Sequence, residues 1–291
     1  MSVSLTILGS GSSGNCAYLE CGETRLLIDA GFTLRQIRLR LALISRVPEN
    51  LTGILITHEH ADHVVGLPVI AAKLGLPVYC NRDTRDAIER EQKTKLNARL
   101  FTTGKTFDAG GVEVESFPIP HDAQDPVGYL LRTPGGNVGF ATDLGHATRL
   151  VLERIRHANV LVLESNHDVK MLQDCPHRPW SLKQRILGRH GHLSNAAAAE
   201  AAREIMSAEL RHLYLAHLSR ECNRPELAQA VMAARLAELG AAHVHLEVAG
   251  PRDPCATLEL GFPPPRPKPS APPPTQASLD LDGPVSDLER V

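Results

Sequence analysis

Four absences narrow what this 291-residue chain can be. Neither sign of charge is in excess: 31 Lys and Arg stand against 33 Asp and Glu, a formal net charge of -2. A protein that grips nucleic acid by bulk charge alone would usually be more basic, so any such binding must use a local patch. The six cysteines, Cys16, Cys21, Cys80, Cys175, Cys222 and Cys255, contain no C-x-x-C pair. That argues against a zinc knuckle and for free thiols in a reducing cytoplasm. No apolar run approaches the ~20 residues of a membrane helix. The start of the chain, Met1 to Gly9, has no basic region ahead of a short apolar run, so it reads as a strand and not a signal peptide. A soluble, cytoplasmic protein with no membrane contact is expected.

What is present is ordinary globular composition, 43% hydrophobic and 22% charged. The length suits one large α/β domain or two small ones. Strand patterns are read at Val3–Leu8, at Cys16–Glu20 and Arg25–Ile28 as a hairpin, at Leu51–Thr57 and at Pro77–Cys80. Further ones are read at Val112–Ile119, Gly128–Arg132, Asn137–Ala141, Ala158–Leu163 and His212–Ala216. Helical spacing is read at Leu34–Leu43, Gly66–Leu74, Asn195–Met206 with Ser194 as N-cap, and Pro225–Leu239 with proline at its start. A cluster of strands followed by mixed strands and helices, repeated in the second half, predicts two sheets face to face with helices outside. From Pro263 to Pro274 the chain holds eight prolines. The domain is therefore expected over 1–261, and 262–291 is expected to be a Pro-rich disordered tail.

Gly9-Ser10-Gly11-Ser12-Ser13-Gly14 matches G-x-G-x-x-G after a strand, and Asp29 sits near the distance of a ribose-binding acid. A dinucleotide site needs a helix to begin within the motif, with its N-terminus facing the pyrophosphate. Asn15-Cys16-Ala17-Tyr18-Leu19 instead reads as strand, which leaves a glycine-rich connection able to lie beside an active site.

The segment Thr57-His58-Glu59-His60-Ala61-Asp62-His63 carries H-x-H-x-D-H. Imidazole and carboxylate donors suit zinc, manganese or iron. Two histidines two residues apart in extended chain point to one side, so His58 and His60 can share a metal. A helix beginning near Asp62 would turn Asp62 and His63 toward a second position. Three other ligand-type residues stand at strand ends: His121, Asp143 and His217. Each alone is more often a capping or satisfied polar residue; together with the histidine run they suit a site on one rim of a sheet.

On these residues the chain, from Met1 to about Leu260, resembles the metallo-β-lactamase superfamily, and within it the YycJ/WalJ-like branch. The closer match lies in Gly11–Asn15, Leu27–Gly31, Thr57–His63, His121-Asp122-Ala123, Asp125–Tyr129, Thr142–Gly145, Glu164–Asp168, Gly191–Asn195 and His217-Leu218-Ser219. The resemblance implies a four-layer αββα sandwich and two divalent metal ions, zinc foremost, with manganese or iron as alternatives. It implies that His58, His60 and His121 hold one ion, that Asp62, His63 and His217 hold the other, and that Asp143 bridges them beside a bridging hydroxide. Asp62, Asp143, Glu164 and His192 are the candidate catalytic residues; for Glu164, His192 and His167 the competing reading is hydrogen-bonded loop residues. His146, His157, His177, His190, His212, His243 and His245 carry no site argument and are read as mostly surface or helix residues.

Between Asp174 and Glu200 there is no acid, while Arg178, Lys183, Arg185, Arg189 and the only tryptophan, Trp180, are present. This is either a phosphate-gripping patch with a stacking platform or a solvated helix face with one anchoring indole. The resemblance implies a phosphodiester substrate, nucleic acid (DNA exonuclease-like) or a cyclic nucleotide or phosphate ester. The alternatives are a thioester or ester hydrolase of the glyoxalase II type, and a DNA-repair or signalling partner with a structural metal site. Only 22 positions separate His121 from Asp143, too few for the nucleic-acid domain inserted in larger RNA-processing relatives.

Overall fold

The computed structural model describes residues 2–261. The expected tail, 262–291, lies outside the described residues. The first half runs β1 (Val3–Gly9), β2 (Cys16–Cys21), β3 (Thr24–Ile28), α1 (Leu34–Leu43), β4 (Gly53–Leu55), α2 (Ala61–Val64), α3 (Leu67–Leu74), β5 (Val78–Cys80), α4 (Arg82–Gln92) and β6 (Ala98–Leu100). The second runs β7 (Thr106–Asp108), β8 (Glu113–Pro118), β9 (Val127–Thr133), β10 (Gly136–Ala141), α5 (Arg149–Ile155), β11 (Val160–Glu164), α6 (Val169–Asp174), α7 (Trp180–Leu187), α8 (Asn195–Ile205), β12 (His212–Ala216), α9 (Pro225–Glu238), β13 (His245–Val248) and β14 (Leu258–Leu260).

The strands form two seven-stranded sheets, ordered β14-β1-β2-β3-β4-β5-β6 and β13-β12-β11-β10-β9-β8-β7. Each begins as antiparallel hairpins and continues as parallel strands, from β3 to β6 in one and from β10 to β13 in the other. All six parallel steps are crossed by helices, because a parallel pair cannot be joined by a tight turn.

The strands are apolar on both faces because both faces are covered. Alternate residues of one strand enter different cores. Val160 and Val162 of β11 face the other sheet, whereas Leu161 and Leu163 pack under α5, α8 and α9. In β3, Leu26 and Ile28 face inward and Leu27 packs on the layer of α1 and α3. The result is the expected αββα sandwich. The Tyr129 hydroxyl donates to the Ile56 carbonyl, tying the two sheets together near the histidine run.

The Leu51–Thr57 strand is shorter than its apolar pattern predicts. Its ladder ends at Leu55, and the Thr57 amide donates instead to Oδ1 of Asp29, 2.9 Å away. The short strands β6, β7, β13 and β14 carry too few residues to show alternation, and the mostly polar α4 buries only Thr84, Ala87 and Ile88. No helix among the described residues is long and apolar enough to cross a membrane.

Candidate metal centre

The ends of β3, β4, β8, β10, β11 and β12 converge on one rim. Three non-glycine residues there adopt the left-handed backbone conformation: Asp29 (φ 60°), Asp143 (φ 60°) and His217 (φ 57°). That conformation is costly for residues with a Cβ and clusters at functional sites. Here it ends each strand abruptly and turns an ionisable side chain into shared space. Behind them the chain approaches so closely that only glycine fits. A Cβ on Gly31 would lie 1.8 Å from the Asp62 carbonyl, and one on Gly66 1.9 Å from the Phe32 carbonyl.

All seven ligand-type residues of the sequence reading meet at this rim. His58, His60 and His121 place one donor atom each within 4.8 Å of one another; so do Asp62, His63 and His217, and so do His58, His63 and Asp143. His60 caps α2, which puts Asp62 and His63 on its first turn. His63 Nε2 lies 3.2 Å from Asp143 Oδ2 and 3.6 Å from Asp62 Oδ2. His217 Nε2 lies 3.1 Å from Asp62 Oδ2, and His121 Nε2 lies 3.2 Å from His60 Nδ1.

An outer layer aims these rings. The Asp29 carboxylate lies 2.7 Å from Nδ1 of His63, Thr57 Oγ1 lies 3.1 Å from Nδ1 of His58, and the Gly191 carbonyl lies 3.1 Å from Nδ1 of His121. In each case the far nitrogen, Nε2, is left for the centre. Asn15, whose Nδ2 is 3.1 Å from His63 Nε2, closes the same corner. Asp29, Thr57 and Asn15 received no role from the sequence. Asp29 could have been found, since it ends an apolar strand as the ligands do.

Glu164 is fully buried and uses both oxygens. Oε1 lies 2.8 Å from Nδ1 of His192 and 2.8 Å from Nδ1 of His217. Oε2 accepts the Leu144 and Leu193 amides at 3.1 and 2.8 Å. His192 lines the cavity over the histidines, with Ser12, Asn166, Arg178 and Arg185. His167 does not line it; it is buried, with both ring nitrogens unpartnered. The acid-free segment forms α7, but its cations are answered from elsewhere. Arg185 pairs with Asp122 and Arg178 with Glu221, and the ammonium of the buried Lys183 donates to the Gln173 carbonyl. Trp180 is 62% exposed, so it is not an anchor. The glycine-rich loop leads into β2, not a helix, and Ser10 Oγ accepts the His217 amide at 2.8 Å.

Burial drives the His58 and His121 imidazoles below their ordinary range. Burial acts the same way on His217, but Asp143, Asp62 and Glu164 outweigh it and raise that imidazole to about 10. Asp143 and Asp29 likewise raise His63 against its burial. Burial opposes ionisation of Glu164, yet His192 and His217 hold it down at about 2.

The donor set fits divalent metal ions. Buried polar atoms are normally hydrogen-bonded, yet His58 Nε2 is buried with no partner, and Asp143 Oδ2 faces His63 without hydrogen-bond geometry. Both are orphaned where a cation would satisfy them.

The model of the β-lactamase superfamily domain matches residues 24–218. The chain belongs to the β-lactamase superfamily. Within that superfamily it is 40% identical over 237 residues to exodeoxyribonuclease WalJ of Streptococcus pneumoniae serotype 2 (strain D39), covering 80% of this chain and 88% of that protein. It is 38% identical over 247 residues to exodeoxyribonuclease YycJ of Bacillus anthracis, covering 82% and 91%. The metallo-β-lactamase fold protein YhfI from Bacillus subtilis shares the superfamily fold, with a TM-score of 0.65 at 18% identity over 89% of this chain and all of that one.

Proposed function

We propose that this superfamily member is a dinuclear, divalent-metal-dependent phosphodiesterase that acts on DNA as an exodeoxyribonuclease. The observation that carries the reading is identity of 38–40% across nearly the whole length of two exodeoxyribonucleases, in a chain whose seven ligand-type residues converge on one cavity. His58, His60 and His121 would hold one ion; Asp62, His63 and His217 would hold the other, with Asp143 between them. Imidazole-rich donors favour zinc, with manganese or iron as alternatives. The catalytic domain spans 1–261, with 262–291 as an appendage. Six free thiols support a cytoplasmic location.

When bound, divalent ions held by these residues would acidify water and offset the charge that develops on a phosphoryl group. The chain's own residues do the rest. Glu164 holds the Nδ1 protons of His192 and His217, fixing both rings and leaving Nε2 of each for the cavity. His192 thereby stands ready to give the Nε2 proton to the leaving oxygen, as a general acid. Arg178 and Arg185 line the same cavity. Their ion pairs are exposed and so weak that a phosphate can compete for either guanidinium.

The test is a panel of end-labelled double- and single-stranded DNA, RNA, bis(p-nitrophenyl) phosphate and a glutathione thioester, assayed on full-length protein with zinc and with manganese. Metal-dependent release of nucleotides from a DNA end is expected. Turnover of the thioester without the phosphodiesters would replace this reading with the glyoxalase II type. No turnover of any substrate by metal-loaded protein would favour a structural metal site.

A further inference from the structure

The sequence gives neither His212 nor His245 a site role, although its pattern places His212 at the start of a strand. The two residues open β12 and β13, and His212 is buried. The parallel register pairs His212 with His245 and Tyr214 with Glu247. Residues paired in this way, and those two apart along a strand, share a face. Four side chains are thus stacked on the inward face of the sheet at its edge. His212 opens β12 and His217 follows its end, so the two lie roughly 16 Å apart by strand rise.

The His212 and His245 ring centroids are 4.6 Å apart, and His212 Nε2 lies 3.4 Å from Glu247 Oε2 without hydrogen-bond geometry. One donor atom each of His212, His245 and Glu247 falls within 4.8 Å of the others. His212 is only 6% exposed, with Nε2 unpartnered, and the hydroxyl of Tyr214, 0% exposed, has no partner either. All four residues line one cavity, together with Thr257 and Leu258 from the edge of the opposite sheet. Two orphaned polar groups beside a carboxylate and a second imidazole are poorly served by protein contacts alone, since unmet buried polar groups are destabilising.

We propose that His212, His245 and Glu247 form a further divalent-metal site at the edge of the second sheet, separate from the catalytic centre. Two imidazoles and one carboxylate select a borderline transition ion, zinc foremost, over calcium or magnesium, which prefer all-oxygen shells. A fourth position is left for solvent. The ion clamps the short edge strand β13 onto β12 and so holds the mouth of the sandwich closed beside β14.

The test compares full-length wild type with His245→Ala and Glu247→Gln, each stripped, reloaded with zinc, dialysed and analysed for metal. Each variant should carry one equivalent fewer than wild type, hydrolyse phosphodiester at the wild-type rate, and exchange the amide hydrogens of β13 faster. Because His245 is exposed, its truncation leaves the packed core intact, and the metal count reads the site whatever the substrate proves to be. Wild-type metal content in both variants would overturn the proposal. So would a lost equivalent accompanied by lost turnover, since the site would then not be separate.

Discussion

Asp29 Oδ2 lies 2.7 Å from Nδ1 of His63, and Asp29 Oδ1 accepts the Thr57 amide at 2.9 Å. One carboxylate therefore both ends a strand and sets the proton of an imidazole in the candidate metal centre. Asp29→Asn is informative because asparagine tolerates the left-handed backbone at this position. Its carbonyl can keep the Thr57 contact, but its amide would then donate to Nδ1 and push the ring proton onto Nε2. Metal affinity should fall about 10–100-fold, the usual effect of losing such a partner, with little change in Tm of the metal-free protein. Competition with a chelator measures it; unchanged affinity would show that His63 is aimed by packing alone.

Glu164→Gln tests the corresponding clamp on the other side. A glutamine cannot accept from both rings with one oxygen and still receive the Leu144 and Leu193 amides on the other atom. Activity should drop by about 10–100-fold. His192→Ala should lower kcat by roughly 10²–10⁴-fold if its proton reaches the leaving group, with KM little changed. Activity with substrates bearing a very acidic leaving group should be partly spared, because such a group needs no proton.

Protons should leave when metal enters. His217 is raised to about 10 by Asp143, Asp62 and Glu164 acting against burial, so it is charged at neutral pH, and a metal requires it neutral. Calorimetry in buffers of different ionisation enthalpy should report proton release at pH 7, and affinity should rise with pH. Without metal the sign is opposite. A raised imidazole contributes stability that is fully present below its unfolded value near 6.5 and is lost as pH rises through about 10. Metal-free protein should therefore lose stability between those values. A flat Tm across that range would show that His217 is not charged in the metal-free fold.

Arg178→Ala with Arg185→Ala should raise KM on DNA and flatten the salt dependence of binding, since fewer counterions are released. This pair is the relevant one because both residues line the cavity, whereas the Arg189 carbonyl and guanidinium both turn toward His146. An unchanged salt slope would assign α7 to a solvated face.

A chain ending at Gly261 should keep its metal content and Tm, because the residues beyond it are rich in proline and poor in apolar periodicity. A loss of several degrees would mean that they pack on the domain.

Much of this protein is determined by local sequence. Short apolar runs, some continuous and some alternating, interrupted by glycine and by helical spacing, were enough to place β1, β8, β10, β11, β12, α8 and α9 and the layering, because strands buried on both faces leave little choice of partner. The ligand-type residues were legible for a related reason: His58, Asp143 and His217 each follow an apolar run that ends abruptly. What only the tertiary structure decided are relations between segments far apart in the chain. That Glu164 reaches both His192 and His217, that His63 rather than a ribose is the partner of Asp29, and that Arg185 and Arg178 are answered by Asp122 and Glu221 all depend on contacts across 28 to 63 positions. The pairing of His212 with His245 belongs to the same class. Strand register is set by the packing of whole sheets, and a shift of one residue would turn the side chains to opposite faces.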